Sequence, residues 1–171
     1  MLNFKETAIL SLALTFSLQL SFEASVSSQS SQGSPAKLVQ NLSCQSQQRQ
    51  LLNATEGLLY PSESNYAFEY FSHTQADSLA TAKEFSTLVG KPGKQVTQVE
   101  FDEFFNQLIT NLRSSKAEVD TIKRYESLRQ VLKNNFKNLT VYRVGQIQVQ
   151  VYITGVNSCG IAGLKTISIE T

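Results

Sequence analysis

Glu63 stands in the run Ser62-Glu63-Ser64-Asn65, directly behind Pro61. A carboxylate at the tip of a short polar loop can take charge-assisted hydrogen bonds from arginine or lysine, or imitate a phosphate oxygen. The flanking elements decide whether it is held still. Upstream, Leu51, Leu52, Leu58 and Leu59 recur at helical spacing, which predicts a helix with a shared apolar face. Pro61 ends it, because the residue before a proline is pushed out of the helical region. Downstream, Phe68, Glu69, Tyr70 and Phe71 favour a strand. A carboxylate on a loop between two packed elements is a binding-loop arrangement; a solvated turn is the competing reading.

Other reactive residues are few. Cys44 and Cys159 are the only cysteines. Behind an export signal an even count favours a bridge between them, with two unpaired thiols as the alternative. The single histidine, His73, has no partner at metal-ligand spacing. No Gly-x-Ser-x-Gly or phosphate loop occurs, and Gly160-Ile161-Ala162-Gly163 lacks the following lysine. A hydrolase or nucleotide-binding reading therefore finds no catalytic constellation, and neither a cofactor nor a metal of the chain's own is expected. Asn41-Leu42-Ser43, Asn53-Ala54-Thr55 and Asn138-Leu139-Thr140 match the glycosylation pattern, but such triplets are common by chance.

The chain has 171 residues, 41% of them hydrophobic, enough for one domain and an appendage. A net charge of +1 argues against a general nucleic-acid surface. The start reads as a secretory signal over 1–28: Lys5, an apolar run from Ala8 to Leu20, then small residues at Ala24, Ser25, Ser27 and Ser28. The run is short for a membrane span and Gln19 interrupts it, so cleavage between about Ala24 and Gln32 is expected, an uncleaved anchor being the alternative. Residues 29–36 are a Ser/Gln-rich leader, and 37–171 the folded domain, located in the periplasm or outside the cell.

Within that domain a helix is expected from Lys37, carrying Leu38, Val39 and Leu42 towards Leu51. A strand covers Phe68–Ser72, and Asp77-Ser78 caps a helix bearing Leu79, Ala82, Phe85 and Leu88. A short strand spans Val96–Val99. Phe101, Phe104, Phe105, Leu108 and Leu112 form an amphipathic stripe, with Asp102 and Glu103 placed well for the helix dipole. A longer helix runs from about Lys116 to Phe136. The period then changes to two: Leu139–Val144, a turn at Gly145-Gln146, and Ile147, Val149, Val151 and Ile153 alternating with Gln148, Gln150, Tyr152 and Thr154. This predicts a hairpin with one greasier face, a loop over Gly155–Gly160, and a last strand with Ile161, Ile167 and Ile169. The class is α+β, a mainly antiparallel sheet covered by helices.

In order, these residues resemble the nuclease A inhibitor-like family, small proteins that block sugar-nonspecific DNA/RNA nucleases. The likeness covers about Gln47 to Thr171. It rests on Gly57-Leu58-Leu59, Ser62-Glu63-Ser64, Tyr66, Phe68-Glu69, Phe101-Asp102 and Phe104-Phe105. It continues through Leu132-Lys133, Asn135, Val141-Tyr142-Arg143, Gly145, Val151-Tyr152, Gly155, Ala162-Gly163 and the terminal Glu170-Thr171. The resemblance implies an α/β/α sandwich and a non-enzymatic mode of action, insertion into the cleft of a metal-dependent nuclease. It assigns Glu63 to basic catalytic residues of the partner and Thr171 to the neighbourhood of the partner's metal. Ser62, Ser64 and Glu170 complete the implied partner-binding set. The partner is a nonspecific endonuclease, with no direct nucleic-acid contact, no membrane contact after signal cleavage, and a monomeric inhibitor. A binding domain of the same fold with a non-nuclease partner is the alternative. Three features differ from the inhibitor type: a near-neutral charge, Ser72-His73 where a tryptophan is usual, and an export signal with two cysteines.

Overall fold

The computed structural model describes residues 35–74, 78 and 81–171. The expected signal segment and most of the leader lie outside the described residues, as do Asp77 and Leu79. Helix α1 spans Pro35–Thr55. Proline is tolerated at the first helical position, since its missing N–H has no intrahelical partner there. The helix ends before the expected point. The Thr55 hydroxyl donates to the Leu51 carbonyl at 2.9 Å, and Gly57 turns the chain with φ +69°. Strand β1 (Leu59–Tyr60) then pairs with β2 (Tyr66–Ala67). The leucine run is therefore not one helical face. Leu51 and Leu58 are buried, while Leu52 and Leu59 are exposed, as are Leu38, Val39 and Leu42.

Strand β3 is Glu69–His73, and α2 is Ala82–Leu88. The cap of α2 is Thr81, not Asp77-Ser78. Its hydroxyl accepts from the Glu84 amide, and the Glu84 carboxylate accepts from the Thr81 amide at 2.8 Å. This Thr-x-x-Glu capping box was available in the sequence and is a stronger start signal than an aspartate alone. Strand β4 (Val96–Glu100) leads directly into α3 (Phe101–Ser114), and α4 spans Val119–Asn135. Strands β5 (Lys137–Val144), β6 (Gln148–Asn157) and β7 (Gly160–Ile169) finish the chain. The expected loop over Gly155–Gly160 is mostly strand, because β6 pairs with β7 as far as Asn157 opposite Gly160.

The five-stranded sheet has the order β3-β7-β6-β5-β4, and every neighbouring pair is antiparallel. One face carries the main core. Leu51 from α1, Phe105 and Leu108 from α3, and Tyr125, Leu128 and Leu132 from α4 pack over Val141, Val151, Ile153 and Leu164. The opposite face is also covered. Phe85 of α2 stacks on Tyr142 with centroids 3.9 Å apart and meets Tyr152 edge-on at 5.2 Å. The hairpin thus has two buried faces rather than one: Tyr152 and Thr154 are as enclosed as Val151 and Ile153. Among the described residues, three helices on one side and one on the other make an α+β sandwich around an antiparallel sheet.

Candidate partner-binding site

Residues Pro61–Asn65 close the β1–β2 hairpin, in which Tyr60 pairs with Tyr66. The hairpin is anchored from below. Tyr60 is buried, stacked parallel to Phe104 and edge-on to Phe68, and the Tyr125 hydroxyl donates to the Leu59 carbonyl at 2.7 Å. Burial raises the pKa of both tyrosines, so each remains a neutral phenol. Within the loop, Ser62 Oγ donates to the Ser64 carbonyl at 2.5 Å and accepts from the Ile169 amide at 3.3 Å. Ser62 therefore ties the loop to the last rung of β7. Ser64 supplies its backbone oxygen and leaves its own side chain exposed.

The chain end arrives beside this loop. The Glu170 amide donates to the Ile147 carbonyl at 2.9 Å, which carries the ladder one residue past β7. The Glu170 carboxylate forms an ion pair with Arg143 of β5. The Thr171 hydroxyl donates to Glu63 Oε1 at 2.5 Å. Two residues 108 positions apart in the chain thus meet at one exposed tip. Among the described residues Glu63 has no ion pair, so its charge faces outward, whereas that of Glu170 is met internally.

Beside the tip runs a cleft of about 370 Å³, walled by Tyr60, Ser62, Leu108, Asn111 and Arg143. Arg143 also acts on Tyr60: its positive charge opposes the upward push of burial on the phenol. Arg143 and Ile147 are the two residues that the sequence reading missed. Arg143 had a signal, since alternation in β5 puts it on the face of buried Val141, where a charge needs a partner. Ile147 had a misleading one. It heads the apolar series Val149, Val151, Ile153, yet it lies in the turn, exposed beside the chain end.

The remaining residues fall at the other end of the sheet. Cys44 and Cys159 form a disulfide joining α1 to the β6–β7 turn, with Cα atoms 5.7 Å apart. His73 closes β3 opposite Ile161, at the start of β7 and away from Thr171. Among the described residues no cluster of three or more His, Cys, Asp or Glu is placed to hold a metal. No described helix is long and apolar enough to cross a membrane.

Fold and tip together define a helix-covered antiparallel sheet that presents the Glu63 loop and Thr171 at one end of its strands. The model of the nuclease A inhibitor-like protein family matches residues 45–171, the greater part of the chain, and the chain belongs to that family. The match begins one residue after Cys44, so the first half of α1 and one end of the disulfide precede it. No curated protein matches the chain.

Proposed function

We propose that this protein is an exported, non-enzymatic inhibitor of a sugar-nonspecific, metal-dependent nuclease, which it blocks by inserting the Glu63 loop and Thr171 into the active-site cleft. The observation that carries the reading is the hydrogen bond from Thr171 to Glu63. It groups a side-chain carboxylate and a hydroxyl into one oxygen-rich tip. A nuclease cleft is built for such a group, with basic side chains beside a hard divalent ion. Desolvation of Glu63 against an arginine gives a strong, short hydrogen bond. Family membership supports the target class, and the disulfide supports an oxidising compartment.

The test is to add the purified mature domain to a secreted, metal-dependent nuclease and follow DNA degradation. Inhibition at stoichiometric ratio is expected. A carboxy-terminal tag should lower it without changing the melting temperature, and an amino-terminal tag should leave it intact. Full inhibition by the carboxy-terminally tagged protein would remove Thr171 from the mechanism. The second reading, a binding domain with another partner, is favoured by the near-neutral charge, which steers weakly towards a basic cleft. Absence of inhibition across several such nucleases would select it.

A further inference from the structure

We propose that Arg143 is a positioning residue for the chain end: by gripping Glu170 across β6, its guanidinium delivers the Thr171 hydroxyl to Glu63. The inference rests on the tip being the inhibitory element. Residues past the last rung of a strand normally fray. Here Glu170 has one backbone hydrogen bond, to Ile147, and Thr171 has its contact with Glu63. Neither accounts for an ordered end without a further hold.

Arg143 supplies that hold from an unusual place. It is opposite Val151 on β6, which is in turn opposite Thr166 on β7. Its side chain must therefore lean along the sheet, towards the chain end, to meet Glu170. Only 25% of the Arg143 side chain and 39% of that of Glu170 are exposed, so the pair is less screened than one in open solvent. The same guanidinium acts on Tyr60, in the strand that leads into the Glu63 loop. The hairpin has its own anchors, the Phe104 and Phe68 rings against Tyr60 and the Tyr125 hydroxyl on the Leu59 carbonyl, so the chain end is the half that depends on Arg143. An arginine kept for the partner's use would stand free; this one is mostly covered and engaged within the domain.

The experiment uses the full mature protein with Arg143→Ala, Arg143→Lys and Glu170→Gln, and two readouts. The first needs no partner: the ¹⁵N heteronuclear NOE of the Thr171 amide, which reports fast motion of the chain end. It should fall towards that of a mobile terminus in Arg143→Ala and Glu170→Gln, with partial recovery in Arg143→Lys, which keeps the charge without the fork. The second is inhibition of a nuclease that the parent blocks. A loss of roughly tenfold to hundredfold is expected for Arg143→Ala, the range for a hydrogen bond to a charged group. Adding Arg143→Ala to a Thr171 deletion should cost nothing more, because both act through the same oxygen atoms. A Thr171 amide as rigid in Arg143→Ala as in the parent overturns the proposal, and so do losses that multiply. Should Arg143→Ala fail to fold, Glu170→Gln gives the same readings from the other side of the pair. Should the parent inhibit no nuclease, the functional reading fails, while the NOE still decides the positioning role.

Discussion

Glu63 and Glu69 carry the same side chain six positions apart, yet the fold gives them different tasks. Glu69 lies on β3 and pairs with Lys165 at 2.9 Å, across the register of β3 and β7. Glu63 has no such cation among the described residues and accepts only from Thr171. Glu63→Ala should therefore leave the melting temperature unchanged and weaken inhibition by about 2–5 kcal/mol, the cost of removing one member of a buried interfacial charge pair. Glu69→Ala should inhibit like the parent. Glu63→Gln separates charge from geometry, because the amide oxygen can still accept from Thr171. Equal inhibition by all three variants and the parent would reduce the loop to a turn. That Glu63 sat on a loop was legible from Pro61 and the polar run behind it. That it would meet Thr171 was not, since no local pattern relates residues so distant.

At the scale of elements, α3 and α4 are joined on their outer side by Asp102, which accepts from Arg129 and pairs with Lys133 at 2.7 Å. The Lys133 hydrogen bond first, and then that of Arg129, hold the Asp102 carboxyl below its usual pKa. A carboxylate whose folded pKa is depressed stabilises the fold above its unfolded value, and that contribution is lost as pH falls through the folded one. Asp102→Asn should thus cost roughly 1 kcal/mol or less at pH 7, because more than half of the side chain is exposed. The difference from the parent should begin to shrink below about pH 4 and vanish only once the pH is below the depressed folded value, as measured by urea denaturation at several pH values. A cost that persisted in acid would mean that packing, not charge, was lost. Strand contact sets a different limit. A Cβ on Gly163 would lie 2.0 Å from the Ile153 carbonyl oxygen, whereas one on Gly93 meets nothing within 4 Å, although its φ is +76°. Gly163→Ala should cost at least about 3 kcal/mol, and Gly93→Ala only about 1 kcal/mol of backbone strain. Similar melting temperatures for the two variants would contradict the steric account.

For the molecule as a whole, β7 separates the disulfide from the proposed binding tip by its length. Its first residue follows the Cys44–Cys159 bridge, and its last precedes the Glu170–Thr171 end. Ten extended residues set these roughly 30 Å apart. The bridge closes a loop of 115 residues, for which chain entropy gives about 5 kcal/mol of stabilisation. Replacing both cysteines with alanine should lower the urea midpoint substantially and leave inhibition unchanged in conditions where the variant stays folded. Loss of inhibition by a fully folded variant would mean that the bridge and the tip are coupled. Intact-mass measurement with and without reductant tests the bridge directly: uptake of two alkylating groups before reduction would show free thiols.

By itself the sequence determined what short-range physics can encode. The 3.6-residue stripe of Phe101, Phe104, Phe105, Leu108 and Leu112 marks α3, and the alternation from Val149 to Ile153 marks β6, because side-chain direction follows directly from backbone period. The ordered motifs from Gly57 to Thr171 were enough to point to the family that the match over 45–171 bears out. Even so, local pattern misled where a long-range partner overrode it. Leu58 and Leu59 read as a continuation of the helix, but Gly57 and the pairing of β1 with β2 turned them away. The glutamines alternating with Val149 and Val151 made that face of the hairpin read as the less apolar one, but Phe85 from α2 covers Tyr142 and Tyr152 there. The contact of Glu63 with Thr171, the grip of Arg143 on Glu170 and the pairing of Cys44 with Cys159 all join residues separated by long stretches of chain. Such contacts exist only once strand order and register are set, and those depend on how every element packs at once.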